Sequence, residues 1–103
     1  MADPMKIRAS VVGDSTEVKV LMNHEMETGQ RKDAQGKTVP AWFIQTVTAT
    51  WNGKTVLNAQ WGPAVAKNPF LAFKFKGGAK GDKIQITWVD SKGEKRSDEA
   101  TIS

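Results

Sequence analysis

Along the chain, apolar side chains return at every second position rather than at the three- and four-residue spacing of a helix, and turn-forming residues interrupt them at short, fairly even intervals. Ile7, Ala9 and Val11 alternate with Lys6, Arg8 and Ser10 until Gly13-Asp14-Ser15 breaks the run. From Thr16 to Met22 the alternation resumes, with Val18, Val20 and Met22 on the core side and Glu17 and Lys19 facing water. The stretch Trp42 to Trp51, WFIQTVTATW, is rich in β-branched and aromatic residues and ends at Asn52-Gly53, a dipeptide favoured in two-residue hairpin turns. That predicts a returning strand from Lys54 to Trp61. Gly62-Pro63 and Asn68-Pro69 bound the next connection. Beyond it Phe70 to Lys76 sets Leu71, Phe73 and Phe75 against Lys74 and Lys76, and Gly77-Gly78 and Gly81-Asp82 end the run. Lys83 to Val89 places Ile84, Ile86 and Trp88 on one face, and SKGEKR turns the chain into a last strand of about six residues reaching Ile102.

Seven strands without a helix predict an all-β fold, two packed antiparallel sheets of immunoglobulin-like type, with a small barrel as the alternative. Residues 1–103 form one domain, because 103 residues leave no room for a second. A chain of this mass folds to roughly 5,700 Å² of accessible surface, enough enclosure for a core without staples. Val18, Val20, Ile84, Ile86 and Trp88 are its predicted centre.

Composition narrows the chemistry. Cysteine is absent, which excludes disulfide scaffolds, thiolate zinc sites and cysteine nucleophiles. With a lone histidine, His24, neither the usual multi-ligand metal sites nor a histidine-based triad is supplied, so an enzyme is not expected and no cofactor, metal or catalytic residue is assigned. The net charge is +4, and Lys67 to Lys83 alone holds five lysines against one acid, Asp82. The first ten residues carry no apolar export segment and no stretch approaches a membrane span, so a soluble chain without its own export signal or membrane contact is expected.

The segment His24 to Val39, HEMETGQRKDAQGKTV, interrupts an otherwise tight meander, and loops of this length often carry function. Its plain reading is a solvated hairpin around Asp33-Ala34-Gln35-Gly36. Its functional reading is a recognition loop using His24, Met26, Glu27, Arg31, Lys32 and Asp33. His24-Glu25-Met26-Glu27 lacks the HExxH spacing of a zinc site, so His24 reads as structural or interfacial. Four Trp and four Phe exceed what a one-face-buried strand pattern readily hides, which makes Trp42, Phe43, Trp61 and Phe70 candidates for an apolar patch covered by another chain. Lys74 and Lys76 beside Phe73 and Phe75 read as the polar side of an amphipathic strand, with a Trp/Lys platform for sugar or single-stranded nucleic acid as the alternative function.

Three segments carry a resemblance to a known family: VKVLMNHEMETGQRKDAQGKTVPAWFI (Val18 to Ile44), WGPAVAKNPF (Trp61 to Phe70) and FKFKGGAKGDKIQITWVD (Phe73 to Asp90). The H-x-M-E-T-G-x-R-K-D loop followed by N-P-F is distinctive, and from about Lys6 to Ile102 the chain resembles SoxZ, a subunit of the SoxYZ carrier complex of bacterial thiosulfate oxidation. The resemblance implies a non-catalytic β-sandwich subunit that pairs with SoxY as a heterodimer or higher assembly. SoxY's flexible C-terminal arm bears the cysteine to which sulfur is attached. The resemblance further implies transient contacts with other Sox enzymes, no nucleic-acid partner, and a periplasmic location reached by export with a signal-bearing partner.

Overall fold

The computed structural model describes residues 4–62, 65 and 67–103. Its strands are β1 (Lys6–Val12), β2 (Ser15–Leu21), β3 (Ile44–Trp51), β4 (Lys54–Gln60), β5 (Phe70–Lys76), β6 (Lys83–Asp90) and β7 (Lys95–Thr101). They form two antiparallel sheets, β1-β2-β5 and β4-β3-β6-β7, packed as a sandwich and not closed as a barrel. Turn chemistry sets the hairpins. Asn52 and Gly53 both take positive φ, 48° and 83°, the backbone that a two-residue turn between right-twisted strands requires.

The period-two pattern becomes the core through the pairing register. Ala9, Val18 and Phe73 form one cross-strand row, as do Ile7, Val20 and Leu71. Opposite them, Val47 pairs with Trp88 and Ala49 with Ile86. Val18, Val20, Ile84, Ile86 and Trp88 are all essentially inaccessible, as the alternation predicts, and Met22, Ile44, Val47 and Ile102 join them. At one end Trp51 packs on Phe75 with ring centroids 5.3 Å apart and donates its Nε1–H to Asp82. Nearby, buried Thr16 donates its hydroxyl to the Gly77 carbonyl at 2.7 Å.

The two sides of the sandwich differ. β1 lies beside β7, and backbone bonds from Val11 N to Ser103 O (3.0 Å) and from Ser103 N to Ala9 O (2.9 Å) stitch the sheets together there. On β7 the core-side positions are Ala100, across from Ile84, and the charged residues Arg96 and Asp98, across from Trp88 and Ile86. Arg96 and Asp98 form an ion pair at 2.7 Å, and Asp98 also accepts the Met5 backbone N–H. Inward charge on an edge strand blunts strand addition. Among the described residues no such backbone bonds join β4 to β5. The molecule is long, 52 × 21 × 20 Å, with 6322 Å² of accessible surface, above the roughly 5,700 Å² that size alone predicts.

Several boundaries differ from the sequence reading. β3 starts at Ile44 rather than Trp42, because Trp42 is held in an isolated bridge with Glu27 before the register with β6 begins. β4 stops at Gln60, one residue short of Trp61, and β6 extends one further, to Asp90. Pro63 of the expected turn, and Ala64 and Ala66 of the Trp61 to Phe70 motif, lie outside the described residues.

Candidate functional site

The candidate loop begins where β2 leaves its sheet. The chain stays extended past Leu21, held by bonds from Met22 N to Pro69 O and from Asn68 N to His24 O. Alternation therefore continues beyond the strand. Met22, His24 and Met26 fall on the same side as Val18 and Val20, and all three are buried.

His24 is fixed on both ring nitrogens. Its Nδ1 accepts the Met26 backbone N–H at 3.1 Å, which puts the ring proton on Nε2, and Nε2 donates to Asp90 Oδ2 at 3.0 Å. Asp90, 1% exposed, collects three more donors: Trp42 Nε1 at 2.7 Å on Oδ2, and the Lys92 and Glu94 backbone N–H groups at 3.0 and 2.9 Å on Oδ1. Burial acts to raise the Asp90 pKa, but the hydrogen bonds from His24, Trp42, Glu94 and Lys92 together outweigh it and leave the pKa below the ordinary aspartate value. Around this carboxylate the His24 ring meets Trp42 and Trp88 edge-on, at 5.0 and 5.1 Å between centroids, and the Lys92 ammonium sits 4.2 Å above the Trp42 ring. Such an arrangement is a clamp. It ties the start of the loop, its return at Trp42 and the β6–β7 turn to one buried anion, and it leaves the imidazole no free nitrogen for a metal or a substrate.

The six loop residues separate into two groups. His24 and Met26 turn inward, and Met26, at φ 51°, receives the Ile44 N–H on its sulfur at 3.3 Å. Glu27, Arg31, Lys32 and Asp33 lie at the surface or close to it. The Arg31 guanidinium grips Glu27 from Nε (3.0 Å to each oxygen) and Nη2 (2.9 Å). That hydrogen bond lowers the Glu27 pKa and raises that of Arg31. Glu27 and Arg31, together with a Glu25–Lys67 pair at 3.3 Å, line an open cleft of about 400 Å³. Past it, Lys32 bridges Thr38, and Asp33 Oδ1 caps the turn by accepting the Gln35 and Lys37 N–H groups. This is the exposed hairpin of the plain reading, and it leaves the Lys32 ammonium facing solvent.

The aromatic candidates are likewise divided. Trp42 belongs to the Asp90 clamp, Phe43 and Trp61 pack half-buried against the core, and Phe70 alone is broadly exposed, at 62%. Of the four Trp residues Trp88 is buried, and Trp42, Trp51 and Trp61 are half-buried. Among the described residues no three His, Asp or Glu side chains gather as a metal site. The sequence reading missed Asp90, since a single acid before SKGE reads as an ordinary turn residue. It had a signal for His24, whose position continues the parity of Val18, Val20 and Met22.

Comparison with known proteins gives a family and a fold. The model of the family described as Sulphur oxidation protein SoxZ matches residues 5–101. No curated protein sequence matches the chain. Among solved structures, a superoxide reductase in the oxidized state is similar over 99% of this chain and 89% of that one, at 15% identity and a TM-score of 0.64. A hypothetical protein from Pyrococcus horikoshii OT3 is similar over 99% and 88%, at 14% identity and a TM-score of 0.65. A variant superoxide reductase (neelaredoxin) from Archaeoglobus fulgidus in the reduced form is similar over 97% and 86%, at 19% identity and a TM-score of 0.59. At these identities the likeness is one of fold alone.

Proposed function

The chain belongs to the SoxZ family of sulphur oxidation proteins, and we propose that it serves as the non-catalytic subunit of a sulfur-carrier complex in thiosulfate oxidation, paired with a SoxY-type subunit. The observation that carries the reading is the family match over residues 5–101 in a chain without cysteine. A carrier takes and passes sulfur through a thiolate, which attacks and is later released by exchange. A subunit with no thiol leaves that step to its partner's C-terminal cysteine. What remains for it is to hold the partner and to present surfaces to the enzymes that load, oxidise and hydrolyse the bound sulfur. The site of action in this reading is the periplasm, reached together with the partner.

Within this reading the His24 to Lys37 segment is a recognition element. The clamp on Asp90 supports it from beneath, and the surface-lying Glu27, Arg31, Lys32 and Asp33 offer polar contacts. Co-expression with the cognate SoxY-type subunit, followed by size-exclusion chromatography with light scattering, tests the pairing. A stable complex at micromolar concentration is expected, with an interface of obligate size, above roughly 2,000 Å² in total. A chain that stays a stable monomer beside its partner would refute it.

A further inference from the structure

The two outer faces of the sandwich differ in kind. On the four-stranded sheet the outward positions are mainly hydroxyl and amide side chains, among them Thr48, Asn58, Gln85, Thr87 and Ser97. On the three-stranded sheet the register gathers Lys6, Arg8, Lys19, Lys74 and Lys76 on the outer side, with Glu17 as the one acid in those strands. The excess equals the formal charge of the whole chain, +4. Glu17 lies 3.3 Å from Lys19 and opposite Lys74, so it answers only part of the field.

Two details set this face apart from an ordinary solvated one. Arg8 stands directly across from Lys19, and like charges opposite one another weaken a sheet. At the end of the same face Leu21 pairs with Phe70, and both are exposed, at 39% and 62%. An aromatic beside an aliphatic, flanked by cations that include an arginine, has the anatomy of a protein interface, in which an apolar anchor sits within a charged border. We propose that the outer face of β1-β2-β5 docks an acidic protein surface, with Phe70 and Leu21 as the anchor.

The occupant follows from the charge and from what the face lacks. A nucleic-acid platform stacks successive bases on several rings. Here there is one, and every Trp faces elsewhere. The proposal rests on the carrier reading above: enzymes that act on the bound sulfur in turn must meet the carrier briefly and often. Long-range attraction serves such encounters by raising association rates, with a steep dependence on salt.

The test uses the complex with the SoxY-type subunit in a reconstituted thiosulfate-oxidising system. Rates are measured against carrier concentration at about 0.05 and about 0.3 M salt. Wild type should show a KM for the carrier that rises with salt. A complex bearing Arg8→Glu, Lys74→Glu and Lys76→Glu should show a KM raised by about tenfold or more at low salt and a flattened salt dependence. Phe70→Ser should raise KM while leaving the salt dependence in place. Light scattering should find both variants still paired with the SoxY-type subunit. An unchanged KM and salt response in paired variants would return the face to solvent. Loss of pairing in the variants would make it the subunit interface instead and overturn the proposal. Salt-sensitive binding of a single-stranded DNA 20-mer by wild type, lost in the charge variant without a change in KM, would assign the face to nucleic acid. If wild type itself fails to pair, the carrier reading falls, and this proposal falls with it.

Discussion

Replacing Asp90 by Asn keeps the shape of the side chain and removes half of its accepting capacity. Asp90 receives four donors, two on each oxygen. An amide can keep its carbonyl toward the Lys92 and Glu94 N–H groups, but its NH2 then faces the His24 Nε2–H and the Trp42 Nε1–H. The imidazole cannot escape by moving its proton, since Nδ1 already accepts from Met26. Two donors, one fully buried and one half-buried, lose their acceptor, at about 1–3 kcal/mol each, so the substitution should cost about 2–6 kcal/mol. Against a total stability of about 5–15 kcal/mol this is a large fraction. Urea unfolding followed by tryptophan fluorescence reads it directly, since Trp42 and Trp88 border the site. The pH dependence supplies the second arm. A carboxylate whose folded pKa is depressed stabilises the fold fully above its unfolded value, about 3.9, and loses that contribution as pH falls through the folded value. Asn does not titrate. The gap between wild type and Asp90→Asn should therefore be widest near about pH 7 and narrow toward about pH 3. A gap below about 0.5 kcal/mol at neutral pH, the range of surface substitutions, would refute the clamp.

Three further outcomes are expected. Ile86→Ala, at a fully buried position paired with Ala49, should destabilise by about 2–5 kcal/mol in the same urea assay, and a loss within error would place Ile86 outside the core. Gly78→Ala forces a side chain into φ +90° and points its Cβ at the Thr16 hydroxyl, so a loss of about 1–3 kcal/mol should follow, and a neutral result would show that this corner yields. Arg31→Ala and Lys32→Ala should leave the thermal midpoint unchanged yet weaken partner binding or lower turnover in a reconstituted system; unchanged affinity and turnover in both, and in Glu27→Ala, would reduce the loop to a solvated hairpin.

The sandwich was legible because strand sequences here obey one rule. Val18, Val20, Ile84, Ile86 and Trp88 alternate with polar neighbours, and a half-buried strand imposes that pattern directly on sequence. Where a second demand competes, the pattern misleads. Trp42 looks like the first residue of a β-rich run, yet its indole N–H is drawn to Asp90, 48 residues away, and the strand opens only at Ile44. Asp90 itself gave no sign, since its importance comes from donors spread between positions 24 and 94, which only the folded topology unites. On β7 two of the core-side positions are Arg96 and Asp98, whose polarity reads as outward until the edge position and the Met5 bond explain it. The basic face was visible only in part. Lys74 and Lys76 alternate within one strand, but their union with Arg8 and Lys19 depends on register, which strand sequences do not state.

The stitching of β1 to β7 also orders events in time. The hairpins β1–β2, β3–β4 and β6–β7 close over short loops, whereas Ala9 and Ser103, which bond across the seam, lie 94 residues apart. Loop closure costs more entropy as the enclosed chain grows, and folds rich in such distant pairings mature over about milliseconds to seconds. During refolding the Val11 and Ser103 amides should thus gain protection from hydrogen exchange after those of the β3–β4 hairpin. The seam should then close after the hairpins that it joins.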